Sequence, residues 1–516
     1  MKHPVLESDG ASDCSLAPTR ECRGMEMGAT TDTKYQLLIG GQWEDGAEGT
    51  SPVVNPATEE IVGYAPEASV AQAEAAARAA QEAFPNWWRT PPAERARLLQ
   101  AVADRLRERA PELVPLIISE TGATAMVGSR MQVPVAIERF ERYARSAARS
   151  LDIPLPPSPM QATPLAPGGL IGGVVHRQPV GVVACISPYN FPVVNMAGKI
   201  APALAVGCTV VMKPAPQDPL AVIELAKIMH EVGFPPGVVN IITSSRPEPA
   251  AALTTSAHVD MVSFTGSTGV GVRIMEAGAV TMKRQLLELG GKGAGLILQD
   301  ADLAKAVGAV QSVWAFHSGQ ICTAPTRAIV HRSRYDELVS MLAGVAPHLK
   351  VGDPTAEDTL VGPVISDAQR ARIEQYIATG ASEGAEIVVD GRRPSHMERG
   401  FYVAPTLLAN CRPDMTPVRE EIFGPVVVVV PFDDEEEGIA IANGTEFGLY
   451  DYVFSQDSDR AYRVARQLRS GNVGINTAQR NHEAPFGGFK MSGVGRDGGD
   501  FGLHCYTEMQ SIVWPG

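Results

Sequence analysis

Three short segments carry residue types that do chemistry. "FHSGQICTAPTR" (316–327) sets Cys322 between a helix-breaking glycine and an arginine. A free cysteine is most often an inert core residue. It becomes a nucleophile only where its surroundings favour the thiolate. "LLELGGK" (286–292) places Glu288 in an apolar strand before two glycines. Burial there raises a carboxyl pKa toward the range a general base needs, unless a cation pairs with it. "SPYNFPVV" (187–194) holds Asn190 between two prolines in apolar surroundings. A buried amide left without a hydrogen bond costs about 1–3 kcal/mol. Asn190 therefore either caps the helix that follows or points its amino group at a developing oxyanion.

A second set suits a phosphate-bearing ligand. In "FTGSTGVG" (264–271) a strand runs into a helix near Ser267, with Gly266 and Gly271 in the turn. Glycine permits close backbone approach, and a helix N-terminus offers free N–H groups to phosphate. The GxGxxG spacing of the standard dinucleotide fingerprint is missing. "MKPAPQDP" (212–219) ends a buried strand on Lys213, at the sheet edge where α/β folds bind ligands; a plain solvated lysine fits the same pattern. "REEIFGPVVVVVPF" (419–432) puts Glu421 and Phe423 before a five-valine strand. The "DDEEE" behind it reads as an acidic first helical turn. The seven cysteines are scattered, without CxxC pairs or histidine clusters at ligand spacing, so no metal is expected.

The elements that must position these residues follow from periodicity. "YQLLIGGQW" (35–43) reads as a strand and tight turn. A helix starts at Ser69 with Gln72 completing a capping box, and another covers 93–119. From residue 180 onward, short Val/Ile runs alternate with helical segments: "GVVACIS", "CTVVMKP", "VVNIIT" and "MVSFTG", then "GAGLIL", "RAIVH" and "VVVVV". Strands buried on both faces and alternating with helices predict α/β architecture, two domains with parallel sheets. "LDIPLPPSPMQATPLAPGG" (151–169) has six prolines. It is excluded from helix interiors and central strands and marks a boundary or an excursion.

Bulk properties exclude some classes. The chain has 516 residues, 45% hydrophobic and 20% charged, with net charge −14. That balance disfavours a nucleic-acid groove or an anionic membrane surface. The apolar stretch 179–212 is broken by Pro188, Asn190, Pro192, Lys199 and Pro202, so no membrane span is expected. The first 30 or so residues lack a signal-like apolar core and read as a disordered tail. An odd cysteine count in a long chain fits a reducing, cytoplasmic setting.

In order, "SPYNFP", "KPAPQDPL", "FTGSTGVG", "LELGGK", "GQICTAPTR", "EEIFGPV" and "PFGGFKMSGVGRDGG" resemble the motif series of the aldehyde dehydrogenase superfamily, over some 480 residues from about Leu37. The resemblance implies a tail (1–33), a dinucleotide-binding domain (34–150 and 174–285), a catalytic domain (286–496) and a β-extension for homodimer or homotetramer assembly (151–173 and 497–516). It implies Cys322 as the thiolate nucleophile, Asn190 and the Cys322 N–H as oxyanion donors, Glu288 as the base that activates the hydrolytic water, and Lys199 in proton relay. Lys213 then meets the adenosine ribose, Gly266, Ser267 and Gly271 the pyrophosphate, and Glu421 and Phe423 the nicotinamide ribose and ring. Ile321, Thr323 and Phe486 line the substrate path, with Arg480 and His482 at its mouth.

Departures from the family pattern carry information. Pro216 stands where many NAD-using members have glutamate, so NAD is expected first with NADP usable. Gly198 replaces a large aromatic residue, which predicts a wider tunnel. Arg480 and His482 suit a polar or acidic aldehyde, or are solvated loop charges. Two alternatives are a CoA-acylating enzyme, against which Glu288 argues, and an inactive structural homologue, against which Cys322, Asn190 and Glu288 together argue.

Overall fold

The computed structural model describes residues 33–515; the tail expected over 1–33 lies outside them apart from Thr33. Two large sheets, a three-stranded sheet and a two-stranded hairpin sheet carry the architecture. In the first, five parallel strands form the centre in the spatial order Arg284–Glu288, Met261–Thr265, Val182–Ile186, Thr209–Lys213, Val239–Ile241. Their central residues are buried, as the continuous Val/Ile runs require. The hairpin Leu37–Ile39 and Gln42–Glu44 closes one edge antiparallel, and Gly493–Val494 closes the other.

Register aligns the strand ends. Ile186 sits opposite Lys213 and Phe264, and Thr265 opposite Glu288. All the carboxyl ends therefore meet along one edge, where an open α/β sheet binds ligands. The helix Val70–Arg89 begins on Ser69, whose side chain accepts from Gln72 N at 3.2 Å while the Gln72 side chain accepts from Ser69 N at 3.1 Å. It packs on the strands Val182–Ile186 and Thr209–Lys213.

The second sheet has seven strands. Ala294–Ile297, Arg327–His331, Thr406–Ala409, Val426–Phe432, Tyr450–Phe454 and Asn472–Ile475 run parallel, with Glu386–Val389 antiparallel at one edge. Arg327 pairs with Ala294 and with Val428. The loops that enter these strands, holding Cys322, Glu421 and Phe423, thus gather at the amino edge of this sheet. The carboxyl edge of one sheet faces the amino edge of the other, and the candidate site lies between them.

Two expected boundaries fall inside strands. Arg284–Glu288 runs through the one placed at 285/286, and Gly169–Pro179 through the one at 173/174. A strand cannot be divided without losing its ladder, so we place the first junction after Leu289 at the glycine turn. The proline-rich segment forms Ile153–Met160, an exposed outer strand paired only with Gly169–Pro179. Its register shifts between Leu155 and Ser158, around Pro156 and Pro157. An outer strand tolerates residues that cannot donate to a ladder. The other outer strand, Thr507–Pro515, pairs along nine residues of Gly169–Pro179. The residues just before it do not belong to this arm: Leu503 and Tyr506 are fully buried in the main core. All five described cysteines are free thiols, and no described helix is long and apolar enough to cross a membrane.

Candidate active site

The turn Ile321–Ala324, closed by Ala324 N to Ile321 O at 3.2 Å, puts Cys322 at its first corner. A residue there keeps its own N–H free, and the Cys322 N–H takes no acceptor from another residue. The chain enters this turn through His317, Ser318 and Gly319, all left-handed with φ +53°, +53° and +73°. Two non-glycine residues in that region store backbone strain. A Cβ on Gly319 would lie 2.1 Å from Gly424 O, and one on Gly291 would lie 2.2 Å from Cys322 O. The nucleophile loop is therefore clamped between the glycine turn after Glu288 and the loop that follows Phe423.

Burial, and then the Glu421 carboxylate, pushes the Cys322 thiol up to about 12; Arg480 pulls it down and Glu288 adds to the rise. The thiolate expected to attack the aldehyde must form against this burial. Arg327, the cation nearest in sequence, does not help. Its guanidinium donates to the carbonyls of Lys292, Ile441 and Ala442 at 2.8–2.9 Å and ties the glycine turn and the helix Glu435–Asn443 to its own strand.

Asn190 is buried, and its amino group donates to Gln320 O at 2.8 Å. Its carbonyl accepts from Phe191 N at 3.1 Å and Asn195 Nδ2 at 3.4 Å. The carbonyl holds the chain entering the helix without capping its first turn, and the amino group faces the nucleophile loop with one N–H remaining. Glu288 is buried with neither carboxyl oxygen hydrogen-bonded. Burial first, then Asp497, holds its pKa well above the carboxylate range, against Lys199, Arg496 and Arg480. Gly487 lies against it; a Cβ there would be 2.8 Å from Oε1. Lys199 is buried behind the site and donates to Ser263 Oγ at 3.4 Å, which in turn pairs with the Tyr506 hydroxyl at 2.9 Å. Burial lowers its pKa, with Asp497, Cys185 and Glu288 opposing.

The residues expected to take a dinucleotide surround the same edge. The helix Thr268–Ala279 starts from Ser267, whose side chain makes no cap bond. The N–H groups of Ser267, Thr268 and Gly269 find no backbone or side-chain acceptor. Gly266 N donates to Glu288 O at 3.1 Å, tying this turn to the strand of the base. Side chains at Gly266 or Gly271 would strike Phe264 or Leu289 at 2.4 and 2.6 Å. Lys213 is buried without an ion pair; burial lowers its pKa to about 8 against Glu67. Pro216 lies half-buried in the loop beyond it. Glu421 accepts from Gly291 N at 2.8 Å with Oε1, while Oε2 takes no hydrogen bond. Burial raises its pKa to about 7, with the Gly291 N–H, Lys292 and Arg372 opposing. Phe423, at φ +58°, meets Tyr189 edge-on with centroids 5.9 Å apart. A free helix terminus, an unpaired buried cation and a carboxylate with one open oxygen together fit a pyrophosphate flanked by two ribose units.

The substrate-side residues divide. Ile321 and Phe486 are half-buried and pack on the second domain's core, and Thr323 is buried with its carbonyl held by the Tyr452 hydroxyl at 2.7 Å. Arg480 and His482 remain exposed, and the Arg480 guanidinium stacks 3.8 Å over the Phe486 ring. The wider tunnel expected from Gly198 is not formed: a Cβ there would lie 1.7 Å from Arg139 Nη1, so that guanidinium occupies the space. Sequence reasoning missed Arg139 because it lies 59 positions upstream on another helix, where arginines read as a solvated face. It also missed His317, a buried ring that packs 5.3 Å from Phe191. No group of metal-ligating side chains occurs among the described residues.

Comparison with known proteins decides the family. The model of the aldehyde dehydrogenase family matches residues 43–512. The chain belongs to the aldehyde dehydrogenase family. It is 39% identical to the 3-succinoylsemialdehyde-pyridine dehydrogenase of a Pseudomonas species, over 93% of this chain and 98% of that protein. It is 37% identical to the chloroplastic betaine aldehyde dehydrogenase of Beta vulgaris, over 93% and 96%. Among solved structures, aldehyde dehydrogenase C of Pseudomonas syringae, complexed with NAD+ and octanal, superposes with a TM-score of 0.87 at 38% identity, covering 93% of this chain and 96% of that one. The NAD+ complex of an aldehyde dehydrogenase from Bacillus cereus gives 0.88 at 37%, covering 94% and 98%. The chain is thus an aldehyde dehydrogenase by family and by fold.

Proposed function

We propose that this aldehyde dehydrogenase oxidises an aldehyde to its carboxylic acid through a thioester on Cys322, with NAD as hydride acceptor and NADP usable. The observation that carries the hydrolytic half is Glu288. A buried carboxyl without any hydrogen-bond partner, beside a nucleophile, has no structural task and suits a base that must take a proton from water. NAD, when bound along Lys213, Ser267 and Glu421, supplies the acceptor for hydride.

The Cys322 thiol passes its proton to water, the sulfur bonds to the carbonyl carbon as the C=O π bond opens, and the carbonyl oxygen takes up negative charge. Asn190 Nδ2 and the Cys322 N–H are the donors poised to meet that oxygen. Hydride then departs from the carbon and the C=O re-forms as a thioester. Glu288 removes a proton from water, the water oxygen adds to the thioester carbon, and the C–S bond breaks to free the acid and the thiolate. Lys199 lies behind Glu288 and Asp497 and suits proton exchange with them. We assign the exposed three-stranded arm to homo-oligomer assembly.

The test mixes the purified chain with aldehyde and NAD, with and without CoA, and follows reduced nicotinamide together with free acid. Acid formation independent of CoA supports the reading. Acyl-CoA as the sole product would replace it.

A further inference from the structure

Deeper than the reaction class, and resting on the reading of aldehyde oxidation, is the identity of the group at the far end of the substrate. We propose that the preferred aldehyde carries a carboxylate, held between the guanidinium groups of Arg139 and Arg480. A cavity of about 40 Å³, room for a few waters or one carboxylate, lies among Arg139, Gly198, Arg480, His482, Phe486 and Asp497. Gly198 is what lets Arg139 enter this space, since any side chain there would collide with it. Arg139 is half-buried and donates only to Val194 O at 3.0 Å, leaving most of its N–H groups free. Arg480 stacks on Phe486 and makes no hydrogen bond to any described residue.

Of the other charges around the cavity, one is paired and two act on neighbouring groups. Arg142 is paired with Glu483. Asp497 is the first charge felt by buried Lys199, and Glu138, exposed on the outer helix face, acts on His482. Asp497 lines the same cavity, its Oδ2 3.4 Å from the point where a Gly198 Cβ would sit, yet neither Arg139 nor Arg480 forms an ion pair with a described residue. Two like charges in one small cavity repel, and an anion placed between them removes that repulsion and forms charge-assisted hydrogen bonds. Gly487, next in the chain to the cavity-lining Phe486, lies against Glu288, where a Cβ would be 2.8 Å from Oε1, so the cavity adjoins the reacting end of the path. The same pair opposes a cationic head, such as that of the betaine aldehydes for which some relatives are named.

The test compares each ω-oxo acid with its own methyl ester over graded chain lengths at saturating NAD, reading the acid-to-ester ratio of kcat/KM. At the best length the ratio should exceed about ten, the scale of one charge-assisted hydrogen bond. It should fall with added salt. Arg139→Gln and Arg480→Gln should each lower it about tenfold, and Arg139→Lys should restore part of it. The wild-type ratio needs no variant to fold, so a ratio at or below one at every length overturns the proposal. So does a double glutamine variant that keeps the wild-type ratio. Oxidation of esters without preference for acids refutes this inference alone; no reduced nicotinamide from any aldehyde refutes the reaction reading beneath it.

Discussion

Replacing Cys322 with alanine removes the sulfur that would form the covalent bond, while Lys213 and the turn at Ser267 stay in place. Oxidation should be abolished and NAD binding, read by fluorescence quenching, nearly unchanged; activity within tenfold of wild type would end the assignment. Glu288→Gln should slow turnover about 10²–10⁴-fold while a single-turnover burst survives. The same substitution should stabilise the fold. A buried carboxyl whose pKa is raised holds its proton in the folded state more tightly than in the unfolded chain. Its stability contribution is therefore complete at low pH and declines as pH climbs above the ordinary carboxylate range. The variant lacks this decline, so its melting temperature should gain on wild type as pH rises. Because the Cys322 thiol is also raised, the burst rate should increase about tenfold per pH unit through neutrality. Pro216 concerns the coenzyme. A carboxylate about 4 Å from a 2′-phosphate would discriminate by about 4 kcal/mol at an effective dielectric of 20, and proline supplies none of it. The ratio of kcat/KM for NAD over NADP should lie below about a hundred, and Pro216→Glu should raise it. A ratio above about ten-thousandfold would assign discrimination to Glu67, the carboxylate that acts on Lys213.

Among the elements, the nucleophile loop is the most constrained. Gly319 combines a left-handed conformation with a backbone oxygen 2.1 Å from where a Cβ would sit. Gly319→Ala should cost about 1–2 kcal/mol in conformation alone, and the clash must move either Cys322 or the loop after Phe423. Steady-state activity should drop at least tenfold with the fold retained by circular dichroism; full activity would show that the loop adapts. Ser69→Ala tests a different link. It removes one half of a formed capping box and should destabilise by about 0.5–2 kcal/mol without changing kcat.

At the scale of the molecule, the exposed arm presents Met509, Val513 and Trp514 on one outer strand and Ile153, Leu155 and Met160 on the other. Outer strands with this much apolar surface invite pairing with another chain. The place to cut follows from burial. Removing everything after Asp497 would take away Tyr506, whose hydroxyl meets Ser263 in the core. Removal after Tyr506 spares the core and deletes only the strand Thr507–Pro515. The intact chain should scatter light as a dimer or tetramer, and the shortened chain as a smaller species. A monomeric intact chain would refute the assembly role.

Sequence by itself determined what depends on neighbours along the chain. The Val/Ile runs become buried parallel strands because both faces are covered. Ser69 with Gln72 caps a helix within one turn. Four prolines keep Ile153–Met160 on an outer edge, where unmade ladder bonds face solvent. The seven ordered motifs named the family for the same reason, each being a local turn around one reacting group. Tertiary structure alone decided what depends on distant segments meeting. Arg327 lies five residues from Cys322 yet spends its donors on three carbonyls elsewhere, while Arg480, 158 positions away, supplies the charge that acts on the thiol. Gly198 read as open space, and only the packing of a separate helix against it showed that Arg139 fills that space. The raised pKa of Glu288 was legible in its apolar strand, whereas that of Cys322 was not, because desolvation there is set by every segment that folds over the nucleophile loop.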